Sequence, residues 1–144
     1  MRCGPRTILQ IAKRYGVSLS DEQADSICHL NGDGTSPSGM RNALTWLGFR
    51  DVEIYTDCSL MKLNTWLNAG AIVVACLLEG GTQEGHWVEI RCIDELVIVY
   101  DPDINGHKAV PSDYFQMHWI DYSLQDGAHI LFNRCAVVAW PKWT

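Results

Sequence analysis

The 144-residue sequence predicts an α+β fold in which N-terminal helices pack on a C-terminal antiparallel sheet. Three observations carry that reading. Apolar residues keep helical spacing as far as Gly70, the runs from Ala71 onward are short and rich in β-branched residues, and Asp94 with Glu95 separates two such runs at hairpin distance. No repeat, low-complexity tract or linker divides the chain, so residues 1–144 read as a single domain.

The first helix runs from about Gly4 to Tyr15, because Pro5 suits a first turn and Gly16 a stop, and Ile8, Ile11, Ala12 and Tyr15 share one face. Ser20 and Gln23 form a capping box for a second helix, from Asp21 to about Leu30. Ser36 and Pro37 open a third, striped by Met40, Ala43, Leu44 and Leu47 and closed by Gly48. A short strand over Val52 to Thr56 follows. Ser59 then caps a fourth helix that ends at Gly70. Ala71 to Leu78 is a continuous apolar run of the length of a buried strand, and residues 79–85 form a Gly-rich loop. Trp87 to Ile93 and Leu96 to Tyr100 make a tight hairpin about Asp94 and Glu95. Further strands are expected over Lys108 to Val110, Ile130 to Phe132 and Ala136 to Trp140, the last ending the sheet, with Ser112 capping a helical turn from Asp113 to His118.

Composition narrows the function. A formal charge of −6 and scattered basic residues argue against a nucleic-acid surface, which needs clustered Lys and Arg. The longest apolar run falls far short of the roughly 20 residues that span a bilayer, so no membrane association is expected. No targeting peptide is visible, which suggests a cytosol-like or phage-associated setting. The six cysteines are dispersed, and Cys76 and Cys92 lie in strand-like runs as small hydrophobes, so mostly reduced thiols are expected. No C-x-x-C pair supports a metal site, and no cofactor is implied. The residues from Asn31 to Gly34 lack the spaced carboxylates of a calcium loop and read as a turn.

The chemistry concentrates in three residues. Cys3 opens the first helix, whose N-terminus carries partial positive charge and unsatisfied N–H groups that favour a thiolate and could bind an oxyanion. If Asp94 and Glu95 form a two-residue turn, Ile93 faces Leu96 and Asp101 falls opposite Val88, so His86 and Asp101 are diagonal neighbours on one face. Alone, each of the three residues is ordinary. Together they supply nucleophile, general base and the base's orienting group. A one-residue slip in the turn would separate His86 from Asp101, so the reading depends on register. Gly4, Gly85 and Trp87, which adjoin nucleophile and base, are candidate substrate-cleft residues, with core packing the plainer role for Trp87. His107, His118 and His129 are weaker candidates for the base, and His29 beside Cys28 reads as a surface helix end.

Cys3, Gly4 and Pro5, then Gly34 to Pro37, Gly85 to Ile90, Asp101 with Pro102, and Ser112, Phe115 and Trp119, in this order and spacing, resemble the C39-like branch of papain-like cysteine peptidases over about residues 3 to 120. The resemblance implies a papain-like fold and a peptide substrate, with Cys3 as nucleophile, His86 as base and Asp101 as orienter. Bacteriocin-processing members of that family cleave leader peptides after paired glycines and are usually fused to ABC transporters; the absence of a span or nucleotide-binding region here suggests a stand-alone peptidase. Relatives usually place a Gln several residues before the Cys as an oxyanion donor. Only Met1 and Arg2 precede Cys3 in this sequence, and Gln10 and Gln23 do not match that position. The expectation is a replacement donor, weak activity or a shortened chain. A peptide-binding module that has lost catalysis, an acyl transferase and a peptidoglycan peptide hydrolase are the rival readings.

Overall fold

The structure, a computed structural model, describes residues 2–78, 85–125 and 128–142. In chain order it contains α1 (Cys3–Arg14), α2 (Asp21–Ile27), α3 (Pro37–Trp46), β1 (Arg50–Tyr55), α4 (Leu60–Asn68), β2 (Ile72–Leu78), β3 (Gly85–Ile93), β4 (Leu96–Asp101), β5 (Gly106–Pro111), α5 (Ser112–His118), β6 (Ile120–Gln125), β7 (Ala128–Asn133) and β8 (Ala136–Trp140). Helices mostly in the first half and an antiparallel sheet drawn mostly from the second reproduce the expected α+β arrangement. Most of the Gly-rich loop expected before β3 lies outside the described residues.

Helix boundaries follow from local hydrogen bonding. Ser20, Ser36 and Ser59 each accept a backbone N–H through the side chain at a helix start, and Gln23 completes the capping box of α2. Each such cap contributes about 1 kcal/mol. At the C-termini of α1, α3 and α4, Gly16, Gly48 and Gly70 take φ of +76°, +96° and +96°, and the residue after each glycine donates back into the last turn. Helix α2 closes the same way with His29 at φ +52°, and Leu30 donates to the Asp25 carbonyl. That is why α2 stops at Ile27 rather than near Leu30. Ser112 is the first residue of α5 rather than its cap; extended Pro111 precedes it and offers no side-chain acceptor.

Six strands form an antiparallel sheet in the order β1-β8-β2-β3-β4-β5, while β6 and β7 pair as a separate hairpin. Strand β6 lacks a counterpart among the sequence expectations. Strand β8 comes last in the chain yet sits between β1 and β2. Ala136, Val137, Val138 and Ala139 are all buried, the pattern of a strand covered on both faces. Strand β2 is covered likewise. Its residues Val73, Ala75 and Leu77 join a core with Leu63 and Trp66 of α4 and Phe115 of α5, whereas Ile72, Val74 and Cys76 join one with Ile8 and Ile11 of α1 and Met40 and Leu44 of α3. Helices therefore cover both faces, α1 to α3 on one and α4 and α5 on the other. Cys92, expected to be a buried hydrophobe, is exposed.

The hairpin of β3 and β4 differs from the expectation in a way that cancels. Ile93 pairs with Val97, one residue out from the predicted partner Leu96, and Cys92 pairs with Ile98. A bulge at Arg91 then shifts the ladder back, so Ile90 pairs with Val99 and Glu89 with Tyr100. Continuing that register sets Asp101 beside Val88, as the tight-turn reading required. Without the bulge, Asp101 would fall on the wrong face.

Close packing among α1, α2 and α3 centres on Thr35 and Gly39. A Cβ on Gly39 would lie 2.1 Å from the Cys28 carbonyl oxygen, and one on Gly4 would lie 2.7 Å from Thr35 Oγ1. Thr35 Oγ1 is buried with no hydrogen-bond partner among the described residues. Gly39→Ala is expected to cost about 3 kcal/mol, since backbone must move to admit a methyl. Thr35→Val, which keeps the shape and removes the orphan hydroxyl, is expected to leave stability unchanged or raise it. Thermal melts of the two variants check both expectations.

Candidate active site

The β3–β4 ladder ends at Glu89 and Tyr100, whereas β2 pairs with β3 as far as Gly85. Trp87 thus has backbone groups that β4 does not take, and α1 takes them. The Trp87 N–H donates to Cys3 Sγ at 3.4 Å, and Thr7 Oγ1 donates to the Trp87 carbonyl at 3.4 Å. The first turn of α1 therefore docks against the stretch of β3 that carries His86. Arg2, at the N-cap, makes no side-chain cap bond; its guanidinium reaches Asp25 of α2 at 2.7 Å instead. At the other end of α1, Arg14 pairs with Glu89 of β3 through two bonds of 2.8 and 2.6 Å, and the Glu89 carboxylate is buried. Burial opposes the charge on Arg14, but the bonds to Glu89 outweigh it and raise the guanidinium further.

His86 and Asp101 meet as the register implied. His86 Nε2 lies 2.6 Å from Asp101 Oδ1, and the two residues are 5% and 2% exposed. Nε2 is the nitrogen that meets the carboxylate, and Nδ1 is the other ring nitrogen. It lies 3.7 Å from Asp103 Oδ2, and the imidazole is within hydrogen-bonding reach of the Cys3 thiol. Burial pulls the imidazole down, yet the bonds and charges of Cys3 and Asp101 prevail and raise it to about 9. Burial likewise pushes Asp101 up, but Lys108 Nζ at 2.7 Å, the Asp103 N–H at 2.9 Å and His86 hold its carboxyl below the ordinary range.

His86, Asp101 and Asp103 offer ligand atoms within 4.8 Å of one another. The donor set suits a triad better than a cation: Asp101 already accepts from His86, Lys108 and a backbone N–H, and the Lys108 ammonium would repel a metal.

The candidate cleft residues divide. Gly85 is half-buried, and its carbonyl faces the thiol, with Cys3 Sγ donating across 3.9 Å. Gly4 is buried and leaves room for Thr35. The Trp87 ring is 1% exposed, with its indole N–H donating to the Thr35 carbonyl at 2.8 Å. Gly4 and the Trp87 ring therefore pack the α1 side of the core instead of lining a cleft. The alternative bases stand apart: His107 is exposed and meets the Tyr100 ring edge-on, His118 bonds the Tyr114 carbonyl, and the side chain of His129 is outside those described. Asn31 to Gly34 form the expected turn.

Sequence reasoning missed Lys108 and Thr7. Lys108 was legible in principle, because Asp101 pairs with Gly106 and Lys108 lies two residues further along β5, the same diagonal relation that joins His86 to Asp101. Thr7 gave no signal, since nothing in sequence shows where the β3–β4 ladder stops.

A profile of the peptidase C39 family matches residues 1–125. Among solved structures, the chain resembles the peptidase domain of Streptococcus ComA, a bi-functional ABC transporter involved in a quorum-sensing pathway, at 20% identity and a TM-score of 0.67, covering 96% of this chain and 91% of that one. It also resembles a double glycine motif protease from an AMS/PCAT transporter in complex with the leader peptide, at 15% identity, TM-score 0.67 and coverage of 97% and 85%. A C39-like peptidase from Bacillus anthracis is similar at 16% identity, TM-score 0.65 and coverage of 97% and 88%. No curated protein matches the chain. With its match over residues 1–125 and an architecture shared with peptidase domains of that kind, this chain belongs to the peptidase C39 family and has a papain-like cysteine peptidase fold.

Proposed function

We propose that this chain is a thiol hydrolase that cleaves peptide or amide bonds with Cys3, His86 and Asp101. One observation carries the reading: the imidazole of His86 is held between the Asp101 carboxylate, 2.6 Å from Nε2, and the Cys3 thiol at the start of α1. Cys3 attacks the carbonyl carbon, and the protonated His86 delivers its proton to the leaving amine. The Asp101 carboxylate holds the ring orientation and stabilises the imidazolium. Water, deprotonated by the same imidazole, then releases the acyl group from sulfur. The N–H groups of Cys3 and Gly4, at a helix start without a side-chain cap, are the proposed donors to the oxyanion.

A peptide is the proposed substrate, supported by the leader peptide bound to the similar double glycine motif protease. Among the described residues no helix is long and apolar enough to cross a membrane. Residues 1–144 act as one catalytic unit in this reading, and no cofactor takes part in it.

Mass spectrometry of iodoacetamide-treated protein near pH 6 should find Cys3 labelled ahead of the other five thiols. Burial pushes Cys28 up to about 12 and raises Cys58, leaving Cys92 as the informative exposed control. Labelling of Cys92 as fast as Cys3 would count against an activated nucleophile. Cys3→Ala should abolish peptide turnover while leaving the fold intact, and Asp101→Asn should lower kcat by about 10²- to 10⁴-fold.

The pH dependence follows from the signs of the shifts. His86 is raised from 6.5 to about 9, so its contribution to stability is complete below 6.5 and disappears as pH rises through about 9. Turnover that needs the imidazolium should fall over the same upper range, and in Asp101→Asn that limb should move to lower pH. Asp101 is lowered from 3.8, so its contribution is present above that value and is lost as pH falls through the folded-state value. Lys108→Met removes one influence that lowers Asp101. Acid unfolding followed by circular dichroism should therefore begin at higher pH, with a loss of about 1 kcal/mol at neutral pH, because the Lys108 ammonium is partly solvated.

A further inference from the structure

We infer that the groove between α1 and the β4–β5 turn selects peptides with acidic side chains close to the scissile bond, with Arg6 and Lys13 as its specificity-determining cations. The inference rests on the proposed hydrolase reading for the location of the scissile bond, while the charge preference stands on the groove itself.

The groove encloses about 430 Å³, the size of a ligand site, and its α1 wall is formed by Arg6, Leu9, Gln10 and Lys13. Cys3, Arg6, Gln10 and Lys13 recur at intervals of three, four and three residues, so the stripe of helix surface that begins at the nucleophile continues along this wall. The opposite wall includes Pro102 and Asp103, and Asp103 also lies 3.7 Å from His86 Nδ1. One end of the groove thus opens beside the reacting imidazole.

Charge decides what this groove favours. The chain carries a formal charge of −6, yet two exposed cations line one wall, and neither forms an ion pair among the described residues. Arg14 is not available in the same way, because Glu89 holds it. A substrate carboxylate at Arg6 or Lys13 gains attraction, whereas one at the Asp103 end meets repulsion. At about 1.5 Å of rise per residue, Arg6 stands about 4.5 Å along the helix from Cys3 and Lys13 about 15 Å. An extended peptide advancing about 3.3 Å per residue covers that span within about five residues. Arg6 and Lys13 are about 10.5 Å apart along the axis, which an extended peptide matches with carboxylates about three residues apart. Leu9 and Pro102 supply apolar contact for the side chains between them.

The test uses a proteome-derived peptide library and five forms of the full chain. Immobilised Cys3→Ala protein should retain Asp- and Glu-rich peptides at low ionic strength and release them as salt rises. The same protein carrying Arg6→Glu and Lys13→Glu should prefer Lys- and Arg-containing peptides instead. Single Arg6→Gln and Lys13→Gln changes should each weaken the affinity for acidic peptides by about fivefold, the scale of an exposed charge pair. Wild-type protein incubated with the library should yield cleavage sites with Asp or Glu enriched within about five residues on one side of the cut bond. Equal retention of acidic peptides by the Cys3→Ala protein and its charge-reversed form, or retention without charge preference, overturns the inference. If the wild-type protein cleaves nothing, the hydrolase reading fails on its own, because the retention experiment still decides the charge preference.

Discussion

The site depends on the point at which β4 leaves β3. Strand β3 stays paired with β2 as far as Gly85, but its partnership with β4 stops at Glu89 and Tyr100. Buried backbone groups left without a ladder partner are costly, so another acceptor and donor must take them. Cys3 Sγ and Thr7 Oγ1, one turn apart on α1, take the Trp87 N–H and carbonyl. The contact that satisfies the strand is also the one that delivers the thiol to His86. Had β4 continued along β3, the N-terminus of α1 would have had no place beside the imidazole, and Asp101 would lie in a ladder instead of at its open end.

The charges around this opening are balanced by position. Asp101 is almost wholly buried, and an isolated carboxylate there would protonate or destabilise the fold. Lys108, the Asp103 amide and His86 each approach it, so it remains an anion and can in turn hold the imidazolium. Lys108 is half-buried, with its ammonium 2.7 Å from the Asp101 oxygen that does not meet His86. It fixes the carboxylate from the outside without competing for the imidazole. Glu89 solves the same problem on the other face of β3, where Arg14 meets both its oxygens. Two buried carboxylates therefore have different partners, one engaged with His86 and Lys108 and the other joining a helix end to the sheet.

Much of the fold was legible because its signals are local. Serine caps, glycine stops and apolar stripes placed α1, α3 and α4 to within a residue or two, and the continuous apolar runs of β2 and β8 are those of strands covered on both faces. The limits of legibility lie where a long-range partner decides. His29 ends α2 in a conformation usually left to glycine, and the insertion of β8 between β1 and β2 is fixed by pairing that no local pattern encodes. The pairing of His86 with Asp101 was anticipated through a turn that the protein does not make; the bulge at Arg91 restores the register that the turn displaces. Trp87 shows the same limit from the other side. A large ring beside His86 suggests a cleft wall, but alternation along β3 sends it to the α1 core, and only its backbone stays at the site.

Helix α1 is held at three places along its length: Arg2 to Asp25 at the start, Thr7 to Trp87 in the middle, and Arg14 to Glu89 at the end. Two of these contacts are to β3, the strand that carries His86, so Cys3 and His86 belong to one mechanically continuous unit. Such fixation matters because misplacement of a reacting atom by about 1 Å can cost a factor of about 10² in rate. Asp101 enters that unit through β4, whose register depends on the Arg91 bulge. Were Arg91 to pair with Val99 instead of standing out of the ladder, Glu89 would fall opposite Asp101 and the carboxylate would leave the face that carries His86. The sequence places Cys3 by a helix start and His86 by a strand, but whether one hairpin residue stays out of the ladder decides whether the Asp101 carboxylate reaches them.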